Sequence, residues 1–179
     1  MSAGTLELSL VPFSGMQRAD IAIIVDVDLG ADALVLRYRL AGSTAGIVLP
    51  EPATPTRVDG LWEHSCFELF LQPAGVDWYA EFNFATSQQW AAYRFTRYRE
   101  KACDLWLVDA PLVEPASDGL RASIARADLP SGGWRLGLSA VIEEAEGRLS
   151  YWALAHPADK PDFHHPDCFV LELPAASAP

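Results

Sequence analysis

Apolar and polar residues alternate along most of the chain, which is the pattern of half-buried β-strands. In residues 21–29 every second position is apolar, and Asp26 falls on the opposite, polar face. Residues 34–40 repeat the pattern, with Arg37 and Arg39 on the polar face. Opposite charges that face each other across two strands stabilise their pairing. The two segments therefore predict a hairpin with Asp and Arg partners on its solvent face.

The same alternation predicts further strands, over residues 6–10, 61–71, 77–85, 89–99, 119–127, 134–144, 148–155 and 168–173. Residues 41–60 and 156–167 are rich in Pro, Gly or His and are predicted loops, and residues 100–118 are predicted to be irregular. Helical periodicity is weak throughout. About nine to eleven short strands predict an all-β fold, a two-sheet antiparallel β-sandwich of the jelly-roll or immunoglobulin-like kind. No repeat or linker divides the chain, so we expect a single domain over residues 1–179 with its core in about 5–173.

Charge and cysteine content narrow the classes of function. The net charge is −11, from 24 acidic and 13 basic residues, and it disfavours a polyanionic partner such as nucleic acid. The three cysteines, Cys66, Cys103 and Cys168, are odd in number and form no CxxC pair, which favours a reducing compartment. No segment has the pattern of a signal peptide or a membrane span. We therefore expect a cytoplasmic location and no membrane partner.

The most informative segment is the apolar run from Leu61 to Leu71, because it contains a carboxylate. If the run is a strand, Phe67, Leu69 and Leu71 share one face, and the other face carries Trp62, His64, Cys66, Glu68 and Phe70. A carboxylate within such a strand is costly to bury alone, so Glu68 needs a partner in the protein or on a ligand. A structural Glu–Arg pair is one answer, and a ligand site is the other.

The next two predicted strands carry polar side chains that could lie beside Glu68. Tyr79, Glu81 and Asn83 share the polar face of residues 77–85, and Arg94 lies within residues 89–99. If the three strands are neighbours, these side chains gather with Glu68 on one surface. Carboxylates and Asn give directional hydrogen bonds to sugar hydroxyls, and a flat Trp stacks on the C–H face of a sugar ring. An internal polar network is the alternative.

The runs LWEHSCFELFL and WYAEFNFATSQQWAAYRF resemble the bacterial DOMON-like domains related to family 9 carbohydrate-binding modules. Trp62 and Glu68 match a Trp followed six residues later by Glu, and Tyr79, Glu81 and Asn83 match the pattern Tyr-x-Glu-x-Asn. The resemblance implies a jelly-roll-like sandwich with a sugar or haem ligand. It also implies that two rings clamp the sugar, with Trp62 as one ring, Phe163 of the late loop as a candidate for the second, and Tyr79 lining the site.

Cofactors are not indicated by the residues present. Haem binding of this kind needs Met and His axial ligands, and the chain has only Met1 and Met16, neither on a suitable strand, so haem is disfavoured. The histidines of residues 156–167 lack the spacing of a structural zinc site. A calcium ion held by loop carboxylates stays open. We expect no cofactor and no assigned metal site.

Three classes of function are compatible with the sequence. The first is a non-catalytic domain that binds a carbohydrate or sugar-like ligand through Trp62, Glu68, Tyr79, Glu81, Asn83, Arg94 and Phe163. The second is glycoside hydrolysis, because Glu68 and Glu81 on neighbouring strands could adopt the carboxylate spacing of about 5–9 Å that glycosidases use. The third is a protein-interaction or structural module that exposes its aromatic residues. Recognised catalytic fingerprints are absent from the sequence, so we expect the binding function.

Overall fold

The computed structural model describes residues 4–16 and 20–174. Within them the chain forms thirteen strands: β1 Leu6–Pro12, β2 Ile21–Leu29, β3 Ala33–Gly42, β4 Ile47–Val48, β5 Cys66–Pro73, β6 Tyr79–Phe84, β7 Trp90–Arg97, β8 Glu100–Asp104, β9 Leu112–Ala116, β10 Gly119–Ala125, β11 Trp134–Glu144, β12 Leu149–Ala153 and β13 Leu171–Leu173. Three single 3-10 turns occur at Leu61–Glu63, Arg126–Asp128 and Pro166–Cys168. The described part of the chain contains no helix with the length and apolar character needed to cross a bilayer.

The strands form two antiparallel layers of a β-sandwich, as predicted. One layer, which we call the site sheet, has the strand order β8-β7-β6-β5-β11-β12, with β4 and β13 also paired to β11. The other, the back sheet, has the order β9-β10-β3-β2-β1. β1 joins the layers, because Leu6 to Leu10 pair with β2 while Val11 and Pro12 pair with β12. A continuous path of strands therefore folds over on itself.

The main hydrophobic core lies between the two layers. Phe67, Leu69 and Leu71 of β5 are buried in it, as their shared face predicted. From the back sheet, Tyr38 places its ring 5.1 Å from that of Phe67 and donates a 2.6 Å hydrogen bond to the Glu68 carbonyl oxygen. This bond ties the back sheet to the strand that carries the predicted site.

The predicted Asp–Arg pairing of the first hairpin is confirmed. Asp26 faces Arg37 in the register of β2 and β3, and the Arg39 guanidinium lies 3.0 Å from the Asp26 carboxylate. Arg39 also reaches Glu7 on β1, at 2.8 Å. The hairpin is therefore linked across three neighbouring strands by charge as well as by backbone hydrogen bonds.

Two sequence predictions are wrong in the middle of the chain. Residues 100–118 were predicted irregular but contain β8 and β9. β8 is exposed along its whole length, so its residues follow no apolar alternation. Residues 61–65 were predicted to begin a strand, whereas Leu61–Glu63 form a 3-10 turn that follows Gly60 with φ of 80°. A positive φ favours glycine and reverses the chain direction there.

Smaller differences concern the two long loops and the C-terminus. The predicted loop 41–60 includes the short strand β4, which pairs with the end of β11. The last strand begins at Leu171, because Pro166–Cys168 forms a 3-10 turn before it. Residues 175–179, which follow the predicted core, lie outside the described residues.

A second hydrophobic cluster covers the outer face of the site sheet. It contains Cys66 and Phe70 of β5 together with Phe169 from the segment before β13. The ring of Phe169 stacks on Phe70 at 5.8 Å. Gly137 of β11 permits this approach, because a Cβ atom there would lie only 2.8 Å from the Phe169 ring. The loop segments thus pack directly on the outer face and enclose part of it.

Candidate functional site

The outer face of the site sheet contains a cavity of about 410 Å³ beside the second cluster. Strands β5, β6, β7, β11 and β12 supply its floor, and the turn before β5, the start of β8 and the late loop supply its walls. Its lining residues are Trp62, Glu68, Phe70, Glu81, Tyr93, Phe95, Arg99, Lys101, Val141, Tyr151, Pro161, Phe163 and His164. The cavity is open to solvent on one side, so a small molecule can enter it.

Two carboxyl groups line this cavity. In the register of β5 and β6, Glu68 faces Asn83 and Phe70 faces Glu81, so the two glutamates are diagonal neighbours on one face. Their exposed fractions are only 3% and 6%. No basic side chain of residues 4–16 and 20–174 lies within ion-pair distance of Glu68. The structural Glu–Arg pair considered from the sequence is therefore not formed.

Burial changes the acidity of both groups. Loss of water raises the pKa of Glu68 well above the ordinary carboxyl range, the charge of Glu81 raises it further, and a 2.9 Å hydrogen bond from Ser139 Oγ opposes the shift. Burial likewise raises the pKa of Glu81, against the hydrogen bond from Asn83 and the charges of Lys101 and Arg99. Two adjacent buried carboxyls resist ionising together, so the pair retains protons toward neutral pH.

Asn83 acts on the cavity through Glu81. Its Nδ2 donates a 2.9 Å hydrogen bond to Glu81 Oε1, and the Asn83 side chain is fully buried behind the cavity floor. Its Oδ1 has no hydrogen-bond partner among the described residues. Asn83 therefore orients one carboxyl from behind the cavity floor.

A relay of hydrogen bonds fixes the ring of His164. The Tyr79 hydroxyl accepts a hydrogen bond from the Arg99 amide at 3.2 Å and lies 2.8 Å from His164 Nδ1. Burial and the Arg99 charge lower the pKa of His164 to about 4, so its ring is neutral near pH 7. With the hydroxyl donating to Nδ1, the remaining ring proton sits on Nε2, which faces Glu81 Oε2 at 3.7 Å. That spacing leaves room for a ligand oxygen to interact with both groups.

Two cations stand at the rim, and each already has an acidic partner. Arg99 lies 2.8 Å from Asp162, whose carboxylate also accepts from the Tyr98 hydroxyl at 2.5 Å. Lys101 lies 3.2 Å from Asp104, and its ammonium sits 4.2 Å from the centroid of the Tyr93 ring. The rim charges are thus largely balanced, in contrast to the carboxyls on the floor.

Aromatic rings form the walls. Trp62 is 43% exposed and meets Tyr93 edge-on at 5.9 Å. Phe163 lies 6.1 Å from Tyr151 on the late-loop side. Trp62 and Phe163 both line the cavity, although Trp62 does so from a turn rather than from the predicted strand. A planar ligand face has ring surfaces available from both elements.

The predicted site residues divide into three groups. Trp62, Glu68, Glu81 and Phe163 line the cavity, while Tyr79 and Asn83 lie behind it. The grouping of Arg94 with them is wrong. Arg94 faces Ala80 in the β6–β7 register, and its guanidinium stacks 4.5 Å above the ring of Trp78, so it lies on the opposite face of the sheet.

Sequence reasoning missed several lining residues, namely Tyr93, Phe95, Arg99, Lys101, Tyr151 and His164. A signal existed for the first two, since Tyr93 and Phe95 alternate with Arg94 and pair with Glu81 and Tyr79. Arg99 gave no such signal. The predicted strand 89–99 includes it, whereas β7 ends at Arg97 and Arg99 lies in a turn with φ of 56°.

The loop residues considered for a metal site have other partners. Asp162 binds Tyr98, Arg99 and the His164 amide, and His164 binds Tyr79. In the described ranges no group of three or more His, Cys, Asp or Glu side chains is placed to hold a metal ion. These contacts instead anchor the late loop over the cavity.

Comparison with known proteins supports the fold. No protein-family model matches the chain, and no curated protein matches it by sequence. A solved structure that it resembles is that of a proposed carbohydrate-binding protein from Bacteroides uniformis ATCC 8492. The TM-score is 0.65 at 13% sequence identity, over 93% of this chain and 84% of that one. The likeness extends over nearly the whole sandwich but does not distinguish a DOMON-like or family 9 relationship.

Proposed function

We propose that the chain is a single, non-catalytic binding domain for a carbohydrate or sugar-like ligand. The observation that carries this proposal is the open cavity beside Glu68, with Trp62 at its rim and, among the described residues, no basic side chain within ion-pair distance of the carboxyl. Ser139 donates a hydrogen bond to one oxygen of the Glu68 carboxyl, and a ligand in the cavity can bind the other.

The cavity has the size and chemistry that small ligands use. Its volume of about 410 Å³ falls within the range of about 300–1,000 Å³ usual for such sites. The partly protonated carboxyl pair and the His164 Nε2–H offer donors and acceptors together, which suits hydroxyl groups. Trp62 and Phe163 offer ring surfaces for the apolar face of a sugar. The fold likeness to a proposed carbohydrate-binding protein adds support in the same direction.

Glycoside hydrolysis is the alternative that a specific observation favours. The two carboxyls share one cavity, and a raised pKa on one of them is what a general acid requires. An enzyme would release nitrophenol from nitrophenyl glycosides, and the Glu68→Gln variant would lose that turnover. The binding proposal expects no turnover by the wild type.

The binding proposal assigns no cofactor, and the cytoplasmic location stays a prediction.

Isothermal titration with a panel of mono- and disaccharides tests the proposal. We expect at least one sugar to bind the wild type, and the Glu68→Gln variant to bind it about tenfold or more weakly with an unchanged fold by circular dichroism. Glu63→Gln is the matched control, since Glu63 is exposed and lies outside the cavity. If no sugar binds and Glu68→Gln unfolds, Glu68 is structural and the proposal fails.

A further inference from the structure

Among the described residues, no Lys or Arg side chain lies within ion-pair distance of the two carboxyls on the cavity floor. Only Ser139 donates to Glu68, and it does so at Oε2, so Glu68 Oε1 accepts no hydrogen bond from the described residues. Glu81 receives one bond from Asn83, and its Oε2 has only His164 nearby, at 3.7 Å. Both side chains are more than nine-tenths buried, and both line the cavity.

The charges of Arg99 and Lys101 favour the ionised form of Glu81, but neither cation forms an ion pair with a floor carboxyl. Arg99 and Lys101 contact Asp162 and Asp104 at 2.8 and 3.2 Å, so each already forms an ion pair away from the floor. Neither lies within ion-pair distance of Glu68 or Glu81. A neutral ligand would leave the floor carboxyls protonated, whereas a cationic group would stabilise their ionised forms.

The cavity walls also suit a cation. The side chains of Tyr93, Phe95, Tyr151 and Trp62 line the cavity, and aromatic faces attract ammonium groups within about 6 Å. The molecule already shows this interaction, because the Lys101 ammonium lies 4.2 Å from the Tyr93 centroid. The floor carboxyls and the aromatic side chains of the walls together provide the groups that an ammonium site needs.

We infer that the cavity takes an amino sugar, with its protonated amine between the Glu68 and Glu81 carboxylates and its ring against the aromatic wall. This inference rests on the proposed sugar-binding function and names the class of sugar. It also implies that binding displaces a proton from the carboxyl pair, since the ligand ammonium stabilises the charged form of both groups.

The test uses pairs of sugars that differ only by a hydroxyl or an amine, namely glucose with glucosamine, galactose with galactosamine and mannose with mannosamine. Each is titrated into the wild type at about pH 7, where the amines are largely charged. In at least one pair we expect the amino member to bind about tenfold or more tightly, the size of a charge-assisted hydrogen bond. Titration in buffers of different ionisation enthalpy should show proton release for the amino member only.

The Glu68→Gln variant supplies the second arm. It should reduce the preference for the amino member to near equality, whereas Glu63→Gln should leave the preference unchanged. If the hydroxyl members bind as tightly as the amino members, or if glucuronic acid binds more tightly than either, the inference is overturned while sugar binding stands. If no sugar of any pair binds, the proposed function fails and the inference fails with it.

Discussion

Glu68 and Glu81 are diagonal neighbours across β5 and β6, and both carboxyls face one cavity on the outer side of the site sheet. The hydrogen bonds from Ser139 and Asn83 hold each carboxyl in place. Burying two such groups side by side costs free energy of folding, and natural proteins retain such arrangements at functional sites. The pair therefore has consequences for stability that are measurable without knowing the ligand.

The first prediction concerns how the free energy of unfolding depends on pH. The folded-state pKa of Glu68 lies above its unfolded value, so its protonated form stabilises the fold at acid pH, and that contribution is lost as pH rises through the raised pKa. Urea unfolding of the free wild type should give a free energy that falls between about pH 5 and pH 8. Glu68→Gln should flatten this fall and be more stable than the wild type at about pH 8, by about 1 kcal/mol or more. Equal slopes for the two proteins would show that Glu68 ionises normally.

The second prediction separates Trp62 from other exposed aromatics. Trp62→Ala should weaken sugar binding about tenfold or more, because a Trp ring that stacks on a ligand contributes heavily to affinity. Its effect on the free energy of unfolding should stay below about 1 kcal/mol, since the side chain is 43% exposed. Trp106→Ala is the matched control, because Trp106 is 93% exposed and lies outside the cavity. Equal losses of affinity in the two variants would contradict the assignment of Trp62.

The third prediction concerns the link between the layers. Tyr38→Phe removes the buried 2.6 Å hydrogen bond from the back sheet to the Glu68 carbonyl oxygen. We expect a loss of about 1–3 kcal/mol in the free energy of unfolding, measured in urea. Tyr151→Phe serves as the comparison, as that residue is only partly buried, and should cost well under that amount. A cost for Tyr38→Phe no larger than for Tyr151→Phe would mean that this bond does not link the layers.

The fourth prediction concerns the late loop. Asp162 accepts hydrogen bonds from Tyr98, Arg99 and the His164 amide, and these contacts lower its pKa despite its burial. Asp162→Asn should cost about 1–3 kcal/mol and should also weaken sugar binding, because His164 and Phe163 lose their anchor. Hydrogen exchange should become faster at the amides of residues 162–165. Unchanged exchange there would show that the loop is held by packing alone.

Much of the fold could be predicted because its strands are amphipathic. Alternation placed Phe67 and Leu69 on one face of a strand and Glu68 on the other, and the structure confirms this separation. It failed at β8, an exposed edge strand whose five residues bury nothing. The alternation of apolar and polar residues reflects burial of one face, so a strand without a buried face does not show it.

The site was predicted in part for the same reason. Glu68 and Glu81 were identifiable as carboxylates on mostly apolar strands. Arg94 was misplaced because both faces of β7 carry an Arg, and only the register with Ala80 decides which face meets the cavity. Arg99 and His164 come from turns and loops that the fold brings to β6 across long stretches of sequence. Such long-range placements depend on tertiary packing and not on local alternation.

Indole N–H resonances in a ¹H–¹⁵N correlation spectrum test the central claim most directly. On titration with the sugar panel, the Trp62 indole signal, assigned by its loss in Trp62→Phe, should shift together with the amides of Arg99 and His164. The indoles of Trp134 and Trp152 should not move, since they donate to Pro130 and Ser150 within the protein. Shifts confined to Trp106 and its neighbours, or no shift with any sugar, would contradict a sugar-binding cavity at Glu68 and Glu81.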